Sequence, residues 1–172
     1  MKCTLTILFF SLFLPALSHA EVDGPTLLFK NKGQNLSKSE RQQIFDLLEV
    51  KLSTDGKDLV EQTCEEKAGF DVEIVDLNKD KTPEVVVIGG NTCISGATGS
   101  SIWLFIKDVQ GIYRANLGFP AAGYEAMKHG SKGYPDLLIG GMGFCSAIWR
   151  WNGTKYQYLQ NVPTAKGGCD AR

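Results

Sequence analysis

The chain has 172 residues, of which 43% are hydrophobic and 22% are charged, and its formal net charge at pH 7 is −1. A chain of this length can bury one substantial core, so we expect a single domain. Proteins that bind nucleic acids carry a basic patch or stripe, and this sequence has no such run of lysine and arginine. A nucleic-acid partner is therefore not expected.

The first 20 residues predict a signal peptide. Lys2 gives a positively charged start, residues 5–17 form an apolar run, and small residues ending at Ala20 form a cleavage site. The run is too short to span a membrane, and Cys3 precedes it, so we expect neither a membrane helix nor a lipid anchor. The mature protein is then expected in the periplasm as one β-rich domain over 21–172.

One amphipathic helix is predicted near the mature N-terminus. Ser37 and Glu40 have the spacing of a capping box, and apolar residues follow at a helical period. We therefore predict a helix over about 38–53, with Gly56 beyond its end, packed on the sheet. The preceding segment contains one strand-like run, 26–29, which we expect at an edge.

From residue 70 onward the sequence predicts short β-strands separated by Gly, Asn, Pro and Asp. This spacing is typical of an antiparallel meander. The predicted strands are 70–76, 84–89, 102–107, 112–116, 123–127, 136–140, 146–151 and 155–159.

An internal repeat organises these strands. The segment 83–90, a proline, an acid, an apolar run and two glycines, returns as 135–141, and each copy is followed by a cysteine and an Ile-Trp pair. The repeat predicts two blade-like units of four strands, about 70–116 and 123–159. Two blades cannot close a propeller, so we expect a mainly β fold with one N-terminal α-helix, as propeller-like sheets or a small sandwich.

The loop between the first two predicted strands carries oxygen donors at alternate positions. Asp76, Asn78, Asp80 and Glu84 occupy positions 1, 3, 5 and 9, and the Thr82 carbonyl occupies position 7. Because Ca²⁺ takes about 6–8 oxygen ligands, this pattern predicts one calcium site completed by water. A polar hairpin turn without metal is the alternative. The second repeat lacks the ligand set, so one ion is expected.

This loop resembles the calcium loop of FG-GAP or VCBS-type repeats, which lies between two β-strands. Asp76, Asn78, Asp80 and Glu84 match that family's ligand positions, whereas Lys81 replaces its usual glycine. The substitution predicts a positive φ in a residue that rarely adopts it. The helix-flanked EF-hand is disfavoured by Lys81 and by a valine at position 12.

Four cysteines remain after the predicted cleavage: Cys64, Cys93, Cys145 and Cys169. An even number in an exported chain predicts two disulfides. The expected hairpin register, with Asp76 opposite Glu84, favours Cys64–Cys93 and Cys145–Cys169, and Cys93–Cys145 is the main rival. A zinc site is disfavoured because no two cysteines are close in sequence.

Two loops are candidates for binding a partner. The first, residues 91–101, is rich in Gly and Ser and is tied at Cys93; we call it the Gly/Ser loop. The second, residues 140–144, places Met and Phe between two predicted strands. A disulfide, with the calcium hairpin beneath, is expected to hold the first loop rigid, which lowers the entropy cost of binding. A plain surface linker is the alternative. The predicted contact residues are Ser95, Gly96, Ala97, Thr98, Gly99, Ser100, Ser101, Met142 and Phe144.

No nucleophile with a base and no carboxylate pair can be identified, so we do not expect an enzyme. In size, export and overall character the chain is similar to periplasmic immunity proteins against type VI secreted peptidoglycan amidases (amidase-immunity family 3) and to periplasmic lysozyme inhibitors. The resemblance implies an inhibitor whose partner is a secreted cell-wall hydrolase. The alternative is a calcium-dependent adhesion or envelope-binding module, and a homo-oligomer is also compatible with the sequence.

Overall fold

A computed structural model describes residues 22–30, 32–141 and 143–170. The predicted signal peptide and Met142 lie outside these ranges. Within them, no helix is long and apolar enough to span a membrane. The chain is mainly β, as predicted, and its strands form one small and two larger antiparallel sheets.

The N-terminal layer consists of helices α1 (Gly24–Phe29) and α2 (Lys38–Asp46) and the hairpin of β1 (Val50–Leu52) and β2 (Leu59–Glu61). The predicted capping box is confirmed, since the Glu40 backbone N–H donates to Ser37 Oγ at 3.2 Å and the Ser37 N–H donates to Glu40 Oε2 at 2.6 Å.

Two details of this layer differ from the prediction. Helix α2 ends at Asp46 rather than 53, because Glu49 takes a φ of 55° and turns the chain into β1. Residues 26–29, expected as a strand, belong to α1. There the Asp23 carboxylate accepts the Thr26 N–H at 2.8 Å, and Pro25 occupies the first turn, where its missing N–H costs nothing.

Two four-stranded meanders follow. The first sheet contains β3 (Gly69–Val75), β4 (Glu84–Gly90), β5 (Ser101–Lys107) and β6 (Tyr113–Pro120). The second sheet contains β7 (Gly123–Ser131), β8 (Tyr134–Gly140), β9 (Cys145–Trp151) and β10 (Tyr156–Pro163). A short helix, α3 (Thr92–Ser95), interrupts the connection from β4 to β5.

The central strands of the first sheet, β4 and β5, are buried on both faces. Val85 and Val87 pack with α1, α2 and the small hairpin, whereas Val86 packs against the second sheet. This explains why β4 reads as a continuous apolar run, since neither of its faces meets water. The second sheet turns Leu137 and Ile139 toward the first.

The two sheets stack in the same sense. The Tyr113 hydroxyl donates to the Pro83 carbonyl at 2.9 Å, and the Tyr156 hydroxyl donates to the Pro135 carbonyl at 2.7 Å, so these residues are equivalent in the repeat. Tyr113 lies in the core beneath the N-terminal layer, and Tyr156 lies in the core between the sheets. Equivalent faces therefore point in the same direction, toward the N-terminal layer.

The loops divide between two ends of the stacked sheets. We call the end where β4 and β8 finish the disulfide end; it holds residues 91–100, 121–122, 141 and 143–144. We call the opposite end the hairpin end; it holds residues 76–83, 108–112, 132–133 and 152–155.

Candidate metal loop and partner-binding surface

The predicted calcium loop is held by hydrogen bonds from its own acidic residues. Asp76 accepts the backbone N–H of Asp80 at 3.1 Å through Oδ1 and that of Lys81 at 2.9 Å through Oδ2. Asp80 accepts the Thr82 N–H at 2.6 Å, and this contact, ahead of one from Asn78, lowers the pKa of the Asp80 carboxyl. The loop therefore folds around two exposed carboxylates that accept its backbone N–H groups.

Lys81 adopts the positive φ expected of it, 71°, and Lys79 adopts one of 63°. Two lysines thus occupy backbone conformations that usually favour glycine. The loop keeps a tight path although it lacks the glycine of the resembled family. The strained positions lie in the turn that carries Asp76, Asn78 and Asp80.

Glu84 differs from its predicted role because its side chain points into the protein. It is only 2% exposed; its Oε2 accepts the Leu77 N–H at 2.7 Å, and its Oε1 accepts the Tyr134 hydroxyl at 2.9 Å. Burial raises the pKa of this carboxyl. In the described part of the chain, ligand oxygens of Asp76, Asp80 and Glu84 do not gather within 4.8 Å of one another. Val75, rather than Asp76, pairs with Glu84 in the sheet.

The disulfide end carries both predicted disulfides. Cys64 and Cys93 lie at bonding distance with their Cα atoms 6.7 Å apart, and Cys145 and Cys169 do so at 4.7 Å. This confirms the two predicted pairs over the rival Cys93–Cys145 pair. Glu61 Oε2 accepts the Cys64 N–H at 2.6 Å and lies close to both sulfurs of the first bridge, which as a disulfide is not a thiolate metal ligand.

The Gly/Ser loop is more ordered than its composition predicts. The Asn91 side chain caps α3 by accepting the Ile94 N–H at 2.9 Å, and its amide donates to backbone carbonyls after β2. Ser95 and Ser101 are each 2% exposed, and their hydroxyls hydrogen-bond to each other at 2.8 Å. These two serines brace the loop from inside and do not present a surface, contrary to the prediction.

The surface that remains is formed by the turn between these serines and by Phe144. Gly96, Ala97 and Gly99 are exposed, Thr98 and Ser100 are half-buried, and the Phe144 side chain is 63% exposed. The Ala121 N–H donates to the Ser100 carbonyl at 3.0 Å, and the Ala122 N–H donates to the Gly140 carbonyl at 2.9 Å. The two predicted partner-binding loops are therefore linked through a two-residue connection, and both lie at the disulfide end.

The metal loop lies at the hairpin end, separated from the Gly/Ser loop by the full length of β4. The expectation that the calcium hairpin supports the Gly/Ser loop from beneath is therefore wrong. The disulfide, the Asn91 cap and the serine pair hold that loop instead.

Sequence reasoning missed one polar group, on the outer face of the second sheet. The buried Asp136 carboxylate accepts two hydrogen bonds from Arg150, at 2.9 and 2.6 Å, and lies 2.9 Å from His129 Nδ1. Arg150 holds the pKa of Asp136 below its usual range, with His129 adding to the effect. These residues come from three neighbouring strands, and only the sheet register could have brought them together.

Comparisons with known proteins do not assign the chain to a family. No protein-family model matches the chain, and no curated protein or solved structure matches it. The resemblances to FG-GAP or VCBS-type repeats and to amidase-immunity proteins therefore stay predictions.

Proposed function

We propose that the protein is an exported inhibitor, of the immunity type, which binds a secreted peptidoglycan-degrading hydrolase in the periplasm and covers its active site. A type VI amidase effector is the partner that the resemblance implies. The observation that carries the proposal is the disulfide end, where an exposed turn and an exposed phenylalanine are presented by two linked loops.

The physical support is preorganisation. Each loop is attached to a disulfide, and the backbone connection through Ala121 and Ala122 restrains one loop relative to the other. A surface that is already ordered loses little conformational entropy on binding, so more of the contact energy contributes to affinity. The inhibitor acts by occupying a cleft, not by chemistry.

Phe144 is the expected anchor of this interface. Aromatic side chains that enter a partner's pocket carry much of the binding energy, whereas the contacts around them mainly exclude water. A stable interface buries about 800 Å² on each partner, which is more than the turn alone can supply. The surface around both loops must therefore take part.

We also propose a structural calcium ion at the hairpin end, held by Asp76, Asn78, Asp80 and the Thr82 carbonyl, with water completing the shell. Oxygen donors of this kind suit Ca²⁺. Glu84 then acts beneath the loop, through its bond to the Leu77 N–H. The same-sense stacking supports the interpretation of the two sheets as blade-like repeats.

Hydrolase inhibition by matched glycine variants tests the proposed surface. Gly99 and Gly111 both have positive φ, 68° and 78°, and a Cβ added at either position would meet no atom within 4 Å beyond its adjacent residues. The two glycines lie at opposite ends of the molecule. Gly99→Trp should weaken inhibition of a purified wall amidase at least about 30-fold, the loss of one hot spot. Gly111→Trp should leave inhibition unchanged.

A second matched pair tests the anchor. Phe144→Ala should weaken inhibition by a similar factor, whereas Val109→Ala, which truncates a 96% exposed residue at the hairpin end, should not. Equal inhibition by all four folded variants would remove the disulfide end from the mechanism. Failure of the wild type to bind any wall hydrolase would refute the inhibitor function.

The second candidate is a calcium-dependent adhesion or envelope-binding module. It is favoured by a cleft of about 700 Å³ that lies between the metal loop and residues 126–135. In that function a ligand would contact the loop directly. Binding to isolated cell-wall sacculi that requires Ca²⁺ and is lost in Asp80→Ala would support this candidate over the inhibitor.

A further inference from the structure

A second cleft, of about 570 Å³, opens between the first sheet and the N-terminal layer. We call it the Trp103 cleft. Trp103 and Gly118 from β5 and β6 form its floor, Leu47 and Glu49 come from the turn after α2, and Ile94 belongs to α3. Because Cys93, Ile94 and Ser101 of the Gly/Ser loop also line it, the cleft adjoins the disulfide end.

The floor presents an aromatic ring to the cleft. Trp103 pairs across the sheet with Gly118, and a Cβ at Gly118 would lie 3.1 Å from Trp103 Cδ1, so the indole lies over the glycine. Phe70 holds the ring from the other side in an edge contact at 5.9 Å. The half-buried indole is thus fixed in orientation while part of it remains accessible.

The charges around the cleft have one sign. Of the described residues that line it, Glu49 and Glu61 are the only charged ones, and none is a lysine, arginine or histidine. Glu61 is fixed because its Oε2 accepts the N–H groups of Thr63 and Cys64 at 2.7 and 2.6 Å. These backbone bonds lower the pKa of the Glu61 carboxyl, so it stays charged.

We infer that the Trp103 cleft receives an arginine side chain from the bound partner protein. A guanidinium is planar, stacks on an indole face and donates to carboxylates in a fixed fork, and these properties match the ring and the two acids. A lysine ammonium matches the charge but not the planar surface. The exposed Leu47, at 39% exposure, provides apolar contact for the arginine stem.

The inference rests on the proposed function only in assigning the arginine to a partner protein. The chemistry of the cleft can be tested without any hydrolase, using Nα-acetyl-arginine amide and its neutral isostere Nα-acetyl-citrulline amide as probes. The chain has three tryptophans, and Trp103→Phe identifies the Trp103 indole N–H signal in ¹H–¹⁵N spectra.

The arginine probe should shift the Trp103 indole signal saturably, with a dissociation constant in the millimolar range. The citrulline probe should bind about fivefold more weakly, since it keeps the shape and loses the charge. Glu61→Gln keeps an oxygen acceptor for the Cys64 N–H and removes the charge, so it should weaken the arginine probe about fivefold. Glu66→Gln, which changes an exposed acid outside the cleft, should have no effect.

Equal affinity of the cleft for the arginine and citrulline probes would overturn the inference, because the cleft would then recognise the shape of the side chain and not its charge. An unchanged affinity of Glu61→Gln for the arginine probe would overturn it for the same reason. No shift of the Trp103 signal with the arginine probe would also overturn it. If the arginine probe binds as expected and no wall hydrolase is inhibited, the cleft inference stands and the proposed function fails.

Discussion

Replacing Asp136 by asparagine tests whether the polar group on the outer face of the second sheet stabilises the fold. The Asp136 side chain is fully buried, whereas the Arg150 and His129 side chains are 40% and 62% exposed. The substitution keeps the shape and removes the charge that accepts two bonds from Arg150. A hydrogen bond to a charged group contributes about 1.5–3 kcal/mol.

The loss should be smaller than the sum of these bonds, because water can reach Arg150 and His129 once they are released. We expect Asp136→Asn to lower the free energy of unfolding by about 2 kcal/mol, or the melting temperature by roughly 4–8 °C for a domain of this size. Urea unfolding at pH 7 measures it. The control is Asp71→Asn, which breaks the exposed Lys32–Asp71 pair and should cost about 0–1 kcal/mol.

The pH dependence of the free energy of unfolding provides a second test of the role of Asp136. Arg150 lowers the pKa of Asp136 in the folded state, so the folded carboxyl releases its proton more readily than the unfolded one. The stabilisation is therefore present above the unfolded pKa, near 3.8, and is lost as the pH falls through the lower folded pKa. The difference between wild type and Asp136→Asn should be full at pH 7 and should shrink below pH 3.8. A difference no larger than that of the control, or one that is constant with pH, would refute this reasoning.

Three further predictions concern other parts of the fold. Excess Ca²⁺, at about a hundredfold over its Kd, should stabilise the wild type by ~2.7 kcal/mol relative to EDTA and should not stabilise Asp80→Ala; equal melting in both solutions would make the loop a metal-free turn. Tyr113→Phe and Tyr156→Phe should each cost about 1 kcal/mol in urea unfolding, because each removes one buried hydrogen bond; strongly unequal losses would contradict the repeat equivalence. Replacing Cys64 and Cys93 together by alanine should cost about 3–4 kcal/mol, and an unchanged stability would show that this bridge does not constrain the unfolded chain.

The strands of the two four-stranded meanders and their order could be predicted from the sequence, because the information is local. The repeated proline, apolar run and glycine pair defined β4 and β8, and turn residues separated the remaining strands. The Cys64–Cys93 pair followed from the predicted hairpin register, although that register was wrong by one residue, and Cys145–Cys169 was the pair that remained. A one-residue error changes which face a side chain meets but hardly changes which strand ends are close.

The N-terminal layer could not be predicted as well. Leu47, Leu48 and Leu52 continue the helical period of α2, so periodicity alone could not locate its end at Asp46. The chain leaves the helix because Leu48 and Val50 are buried against the first sheet together with β2, which is a tertiary contact. Periodicity does not report such contacts.

The sequence identified the loops that form the candidate sites, but it did not predict which way all of their side chains point. The sequence located the metal loop, but it could not show that Glu84 faces Tyr134 in the other repeat, 50 residues away. It predicted that every residue from Ser95 to Ser101 contacts a partner. In the structure Ser95 and Ser101 are buried and hydrogen-bond to each other, so only the turn between them is accessible. The Trp103 cleft is lined by five separate segments of the chain, so no local pattern could predict it.

The same-sense stacking of the two sheets bears on whether a further sheet can pack on the outer face of the second one. In stacked repeats each unit offers its neighbour a face, so the last unit has an outer face that could take another copy. Here the N-terminal layer covers one end of the stack, and at the other end His129, Asp136, Arg150 and Gln157 form a row across all four strands of the second sheet. A third sheet could pack there only by removing water from Arg150 and His129. The row therefore disfavours the packing of a further sheet on this face.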